Sequence, residues 1–303
     1  MEHKPMTDMT DMTDMTTNNP GIAQAARQKP KRQQSWLPQR WYLHVLLWLA
    51  CFIVGSPLLY AVIVSTQTNA EVFSFQLTPG SAFFSNLERV IVDRNLLLYM
   101  QNSTVQAIIV TVGKTILSLL AGLAFVYFRF PGKWLVFAFV LVTLMMPTEI
   151  MIIALFRTVS SLDWDNTILA ITVPFLASAT GAFLFRQHFA NLPAELSEAA
   201  QLDGANPLQF LLRVLIPLSW NTIGALAVIQ FIYVWNMYLW PLLIMKGENQ
   251  VVQVGLATIT EVDTRTTYGP LMLAAVIASI PAVIVFVLLQ KQFMSGFAIS
   301  RDK

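Results

Sequence analysis

The sequence predicts an all-α integral membrane protein with six transmembrane helices and both termini in the cytoplasm, and three observations carry that prediction. Of 303 residues, 55% are hydrophobic and only 12% charged, and the mean hydropathy is +0.59, too apolar for an ordinary soluble domain. Six apolar runs each approach or exceed the ~20 residues that cross ~30 Å of hydrocarbon as a helix. Thirteen of the 19 Lys and Arg fall on one side of the resulting topology and five on the other, with Lys114 inside a span. The richer side is the cytoplasmic one by the positive-inside rule.

Residues 1–35 read as a disordered cytoplasmic tail: Met-Thr-Asp repeats followed by a basic stretch with Arg27, Lys29, Lys31 and Arg32 offer nothing to bury. The transmembrane domain occupies residues 36–303. Its first span, about 41–64, carries no fixed charge and is too long for the apolar region of a cleaved signal peptide. A polar connection leads to the second span, about 102–128, and the basic turn Arg129-Phe130-Pro131-Gly132-Lys133 separates it from the third, 134–156. The fourth, 166–185, contains the small-residue row Ala177 to Ala182, which suits close helix packing. A fifth span at 218–245 and a sixth at 270–289 flank a polar loop, 246–269.

A net charge of +2 gives no electrostatic footprint for nucleic acid. The single cysteine, Cys51, forms no internal disulfide, and His3, His44 and His188 lack metal-ligand spacing. Gly113-Lys114-Thr115 imitates the end of a phosphate-binding loop. The required glycine five positions earlier is Ile108, and the triplet lies mid-span, so no ATP site is expected on this chain.

Between the fourth and fifth spans lies the polar, helix-forming loop 191–217. Asn191 suits a helix cap, Pro193 and Glu195 a first turn, and Leu192, Leu196, Ala199 and Ala200 share one face at helical spacing. Gly204 ends the helix, and Glu195, Glu198 and Asp203 stand at the rim. Glu198-Ala199-Ala200, three residues, Gly204, nine residues, then Val214-Leu215-Ile216-Pro217 resembles the "EAA" loop of integral membrane permease subunits of binding-protein-dependent ABC importers. Val214 and Ile216 stand where the family usually has Ile and Leu.

The resemblance implies a type I ABC importer permease fold in a bacterial or archaeal cytoplasmic (inner) membrane. It implies that 191–217 is a cytoplasmic coupling loop, with Glu195, Glu198, Ala199, Ala200, Asp203, Gly204 and Pro217 engaging an ATPase. The implied partners are a second, different permease subunit, two ATP-binding cassette subunits that hold ATP and Mg, an extracytoplasmic solute-binding protein and membrane lipid. Three further stretches, Phe128 to Pro131, Ala177 to Gln187 and Phe231 to Ile244, are similar to the branch of the carbohydrate uptake group that imports sn-glycerol 3-phosphate. The implied solute is sn-glycerol 3-phosphate or a related glycerophosphodiester, and a sugar or oligosaccharide is the alternative. An ion-coupled secondary carrier with an incidental amphipathic loop is a different class of alternative.

Within the spans, four polar residues are candidates for a translocation pathway: Lys114, Glu149, Gln230 and Asn236. At 1.5 Å per residue Lys114 lies ~18 Å below the outer end of its span and Glu149 ~10 Å below that of the next. Intramembrane charges pair or face cavities, so Lys114 is expected either to pair with Glu149 or to face an anionic solute. Gln230 and Asn236 fit a polar pathway or interhelical hydrogen bonds, and Tyr238 and Trp240 fit an interfacial aromatic belt. No Ser/His/Asp or Cys/His set converges in the spans, so catalysis by the chain itself is not expected.

Overall fold

The computed structural model describes residues 41–261 and 267–297. The predicted tail at 1–35 and the terminal 298–303 lie outside them. Contacts divide the chain into two compact units, Met1–Gly55 and Ser56–Lys303. The described part of the first is helical throughout, and the second holds the architecture that follows.

Helix α1 (Trp41–Val64) is followed by two short helices, α2 (Asn69–Phe73) and α3 (Phe83–Glu88), and a π turn at Arg89–Asp93. α4 (Leu96–Tyr127) is next, then α5 (Lys133–Leu144), α6 (Thr148–Ser161), α7 (Ile168–Thr172) and α8 (Ala179–Ala190). The chain goes on through α9 (Ala194–Leu202), α10 (Pro207–Phe210), a π turn at Leu211–Leu215, α11 (Ile216–Leu218) and α12 (Trp220–Trp235). α13 (Leu239–Ile244), α14 (Val252–Glu261) and α15 (Tyr268–Phe297) complete it, and no strand occurs among the described residues.

Four stretches are long and apolar enough to cross a bilayer: α1, α4, the run Ile168–Ala190 and Tyr268–Ser295 of α15. A fifth is counted if Pro207–Leu218 and α12, bent by 81°, make one span. The predicted third span is broken. α5 stops at Leu144 and α6 begins at Thr148, because Pro147 lacks an N–H and its ring drives Met146 away from helical geometry. The predicted fifth span also divides, α12 ending at Trp235 and α13 starting at Leu239.

Other boundaries shift outward. α4 begins six residues before Asn102, launched from Asn95 in a left-handed conformation at φ 52°. α15 runs to Phe297, past the predicted end at 289. The stretch 246–269, expected as a polar loop, contains α14, whose Val252 and Val254 are fully buried. Ser103 Oγ accepts from Val252 N at 2.8 Å, and Asn102 Nδ2 donates to Glu248 O and Gln250 O, so α14 is held against the start of α4.

Two apolar clusters organise the bundle. One joins the first half of α4 to α7, the end of α12, α13 and α14 through Val110, Ile171, Val234, Ile244 and Val252. The other joins the second half of α4 to α8 and the 210–215 turn through Leu123, Phe185, Phe189, Phe210 and Leu215. Glycine sets the α4–α8 spacing. A Cβ built on Gly122 would stand 2.7 Å from Phe185 Cβ, and one on Gly181 would meet Ser118. Such small residues let helices approach where lipid provides no hydrophobic drive between them.

Candidate functional site

The 191–217 loop is built by ordinary capping chemistry. Asn191 closes α8 as its C-cap rather than opening the next helix, and Pro193, at φ −56° and ψ 135°, is the residue that precedes α9. α9 ends in paired backbone bonds, Gly204 N to Gln201 O and Ala205 N to Ala200 O. That 5→2 and 6→1 pairing needs a left-handed residue, and Gly204 supplies it at φ +72°. Asn206 then starts α10 with a reciprocal capping box: its Oδ1 accepts from Gln209 N at 2.8 Å, and Gln209 Oε1 accepts from Asn206 N at 3.0 Å.

One side of this loop is anchored and the other is open. Phe210 is buried with its ring edge-on to Tyr127 at 5.1 Å, while Leu192 and Ala200 pack on the same cluster. Glu195, Glu198, Ala199, Asp203, Gly204 and Pro217 are all exposed, and Leu202 among them is 89% exposed. Between the two lies a depression of ≈ 330 Å³ bounded by Leu196, Ala199, Asp203, Gln209 and Arg213. At Ser219 the chain turns by 81° into α12. Phe210 thus packs the loop on the cluster shared with α4 and α8, and the bend joins it to α12.

The second constellation is a polar seam inside the bundle. Ser103, Gln106, Thr111, Lys114 and Ser118 of α4 are buried. Lys114 is only 7% exposed, and its Nζ donates to Gln230 Oε1 at 3.0 Å while lying 5.0 Å from the centroid of the Tyr233 ring. Gln230 Nε2 donates onward to Ser178 Oγ at 3.4 Å, the side chain that caps α8 through Gly181 N. One ammonium thus ties together α4, α12 and the start of α8.

The described partners of Lys114 are therefore Gln230 and Tyr233. Glu149 stands in the first turn of α6, but its side chain lies outside the described residues, as does the expected ion pair. Asn236 ends α12 with its Nδ2 donating to Ile232 O at 2.8 Å, and its Oδ1 accepts from Gln253 Nε2 of α14 at 3.4 Å. Together with Tyr233, Tyr238, Leu155 and Phe175, Asn236 lines a cleft of ≈ 350 Å³. Trp240 is no belt residue: it is 3% exposed and donates Nε1–H to Ala170 O at 3.0 Å. Sequence reasoning missed Tyr233 as a partner of the lysine and Ser178 as a partner of Gln230. Their signal is positional, Tyr233 lying one helical turn after Gln230 and Ser178 three residues before Gly181.

A helical membrane bundle with an exposed, glycine-terminated loop helix on one side is the architecture of a transport permease subunit. The chain belongs to the family described as binding-protein-dependent transport system inner membrane component, which residues 114–297 match. Among its relatives is the sn-glycerol-3-phosphate transport system permease protein UgpE of Brucella abortus (strain 2308), 38% identical over 266 residues, covering 84% of this chain and 94% of that protein. UgpE of Pectobacterium atrosepticum is likewise 38% identical over 265 residues, with the same coverage of both chains. A solved bacterial ABC transporter involved in the import of the acidic polysaccharide alginate has a chain that superposes with a TM-score of 0.74. That match is at 24% identity and covers 83% of this chain and 95% of the other, and it shows the fold. The chain is thus an inner-membrane permease of an ABC importer of the sugar-uptake type, and the ion-coupled carrier is set aside.

Proposed function

We propose that this chain forms half of the translocation pore of an ATP-driven importer and couples ATP hydrolysis by a partner to uptake of sn-glycerol 3-phosphate or a related glycerophosphodiester. The observation that carries the solute is the 38% identity to permeases named for sn-glycerol-3-phosphate transport, extending over 94% of their length. The buried positive charge of Lys114 behind the Tyr233 wall of the cleft supports an anionic solute, since a cation in a low-dielectric surround draws an anion strongly. Tyr233 and Asn236 contact the solute in this scheme, and Lys114 and Gln230 act from behind them.

The chain crosses the membrane six times within residues 36–303, with the broken pair α5–α6 as the third span and 218–245, divided into α12 and α13, as the fifth. The distribution of Lys and Arg supports cytoplasmic termini and a cytoplasmic 191–217 loop. A different permease subunit completes the pore, two ATP-binding cassette subunits carry ATP and Mg on the cytoplasmic side, and a solute-binding protein delivers from the other. This chain binds no cofactor of its own. ATP closes the cassette dimer, α9 follows it, and the spans open outward to receive solute.

The test is ATP hydrolysis by the purified complex in the presence of a solute-binding protein loaded with sn-glycerol 3-phosphate or with maltose. Stimulation by the first alone is expected. Stimulation by maltose alone would keep the permease role and overturn the solute.

A further inference from the structure

The connection between α1 and α4 carries an apolar surface for which the pore and the coupling loop have no use. Phe73, Phe75, Leu77 and Phe84 are 66%, 85%, 70% and 79% exposed. Their loop is rigidly built. Gln67, 1% exposed, donates its side-chain amide to Gln76 O at 2.7 Å and to Thr78 O at 2.8 Å. Thr66 Oγ1 accepts from Gly80 N at 2.9 Å, and Thr66 O accepts from Ala82 N at 2.8 Å. Between these clamps Phe75 is held at φ +54°, a conformation that bulky L residues rarely adopt. The fold thus maintains an unfavourable backbone geometry to point a phenyl ring outward.

The same segment is fastened at the level where apolar helices end. Asn86 Nδ2 donates to Ser65 O, the first residue past α1, at 2.9 Å. Asn69 Oδ1 accepts from Tyr268 N, the first residue of α15, at 2.9 Å, and the Phe73 ring meets Tyr268 edge-on at 5.6 Å. Leu58 and Leu59, more than half exposed in the last turns of α1, lead along the chain to this collar. Aromatic side chains concentrate at such membrane boundaries, where apolar rings meet headgroups.

We propose that residues 73–84 form an interfacial anchor, in which Phe73, Phe75, Leu77 and Phe84 enter the headgroup boundary of the bilayer and fix the depth of the adjoining ends of α1 and α15. The assignment rests on α1 and α15 being membrane spans. Continuity with the exposed apolar turns of α1 selects lipid as the occupant, and the charged Glu71, Glu88 and Arg89 flank the segment on either side.

The sequence has one cysteine, Cys51, so a Cys51→Ser background permits single labels. Complexes carrying NBD at Phe75→Cys or Phe84→Cys are placed in phosphatidylethanolamine/phosphatidylglycerol nanodiscs with a shallow doxyl lipid, beside Val54→Cys, read with a deep doxyl lipid, as a mid-span control and Glu88→Cys as an aqueous one. The expected result is blue-shifted emission at positions 75 and 84 with quenching by the shallow label, and water-like emission at 88. Because Phe75→Gly suits the positive φ and deletes only the ring, it keeps the loop and shifts the label at 84 toward water-like emission. Water-like, unquenched signals at 75 and 84 with a quenched Val54 control overturn the anchor. A blue shift that appears only when the solute-binding protein is added assigns the surface to that protein and overturns it equally. An unquenched Val54 control shows instead that the span assignment has failed.

Discussion

Across the contact between α4 and α12, Lys114 Nζ donates to Gln230 Oε1 at 3.0 Å, and both side chains are buried. The two positions are 116 residues apart, and their bond makes stability asymmetric. Gln230→Leu strands an ammonium without its acceptor, which costs about 1–3 kcal/mol. Lys114→Met removes the charge and leaves only a neutral amide oxygen without its donor, and the double replacement Lys114→Met/Gln230→Leu is closest to neutral, since replacing both members of a buried polar pair by apolar groups of similar volume is often tolerated. Thermal unfolding of the purified complex should rank Gln230→Leu lowest, with Lys114→Met/Gln230→Leu above it. A Gln230→Leu protein as stable as wild type would contradict the bond.

The Tyr233 ring lies under the Lys114 ammonium, and the same residue lines the cleft. Tyr233→Phe retains the ring and is expected to preserve both assembly and uptake. Tyr233→Leu removes a cation–π contact of about 0.5–2 kcal/mol and should lower the melting temperature together with uptake of an anionic solute. Equal behaviour of the two variants would show that the ring does nothing for the lysine.

Gly122 and Gly113 of α4 differ in what a methyl group would meet. At Gly122 it faces Phe185 Cβ and backbone, at 2.7 and 3.0 Å, whereas at Gly113 it faces the end of a Leu176 side chain. Gly122→Ala therefore forces α4 and α8 apart, at about 1–3 kcal/mol, while Leu176 can change rotamer to admit Gly113→Ala. Expression and melting temperature of the two alanine variants compare the sites directly, and equal losses would refute the difference.

Much of this architecture is legible in the sequence, for reasons that can be traced to particular residues. The row Ala177 to Ala182 announced a close helix contact, and Gly181 lies against Ser118. Gly204 announced the end of α9. Lys114 and Gln230 stood out as polar residues in apolar runs, but their bond depends on how α4 and α12 are rotated, which no local pattern encodes. α14 was hidden because charged and polar residues on either side made 246–269 read as loop. Its Val252, Gly255 and Ile259, spaced i, i+3 and i+7, nonetheless form a helical face that is buried. The break at Met145 to Pro147 was signalled by the proline, yet the apolar run continues through it, and length alone argued for one span. Trp240 read as an interfacial residue because its neighbours are aromatic; the carbonyl of Ala170 that accepts its N–H is 70 residues away.

The open face of α9 predicts a separation of coupling from assembly. Glu198 is exposed and makes no contribution to the apolar cluster beneath, so Glu198→Lys should leave the chain folded and in the membrane. Gly204→Asp places a side chain at φ +72°, a conformation costing most L residues about 1–2 kcal/mol, and should distort the end of α9 alone. Both variants are expected to accumulate at wild-type levels with melting temperatures within a few degrees.

The most direct measurement is ATP-dependent uptake of radiolabelled sn-glycerol 3-phosphate into proteoliposomes holding the complete complex and its binding protein, with wild type, Glu198→Lys and Gly204→Asp compared at equal amounts of assembled subunit. The account predicts accumulation by wild type and its loss in both variants. Uptake by the variants equal to that of wild type would contradict α9 as the element that couples the ATPase to the pore.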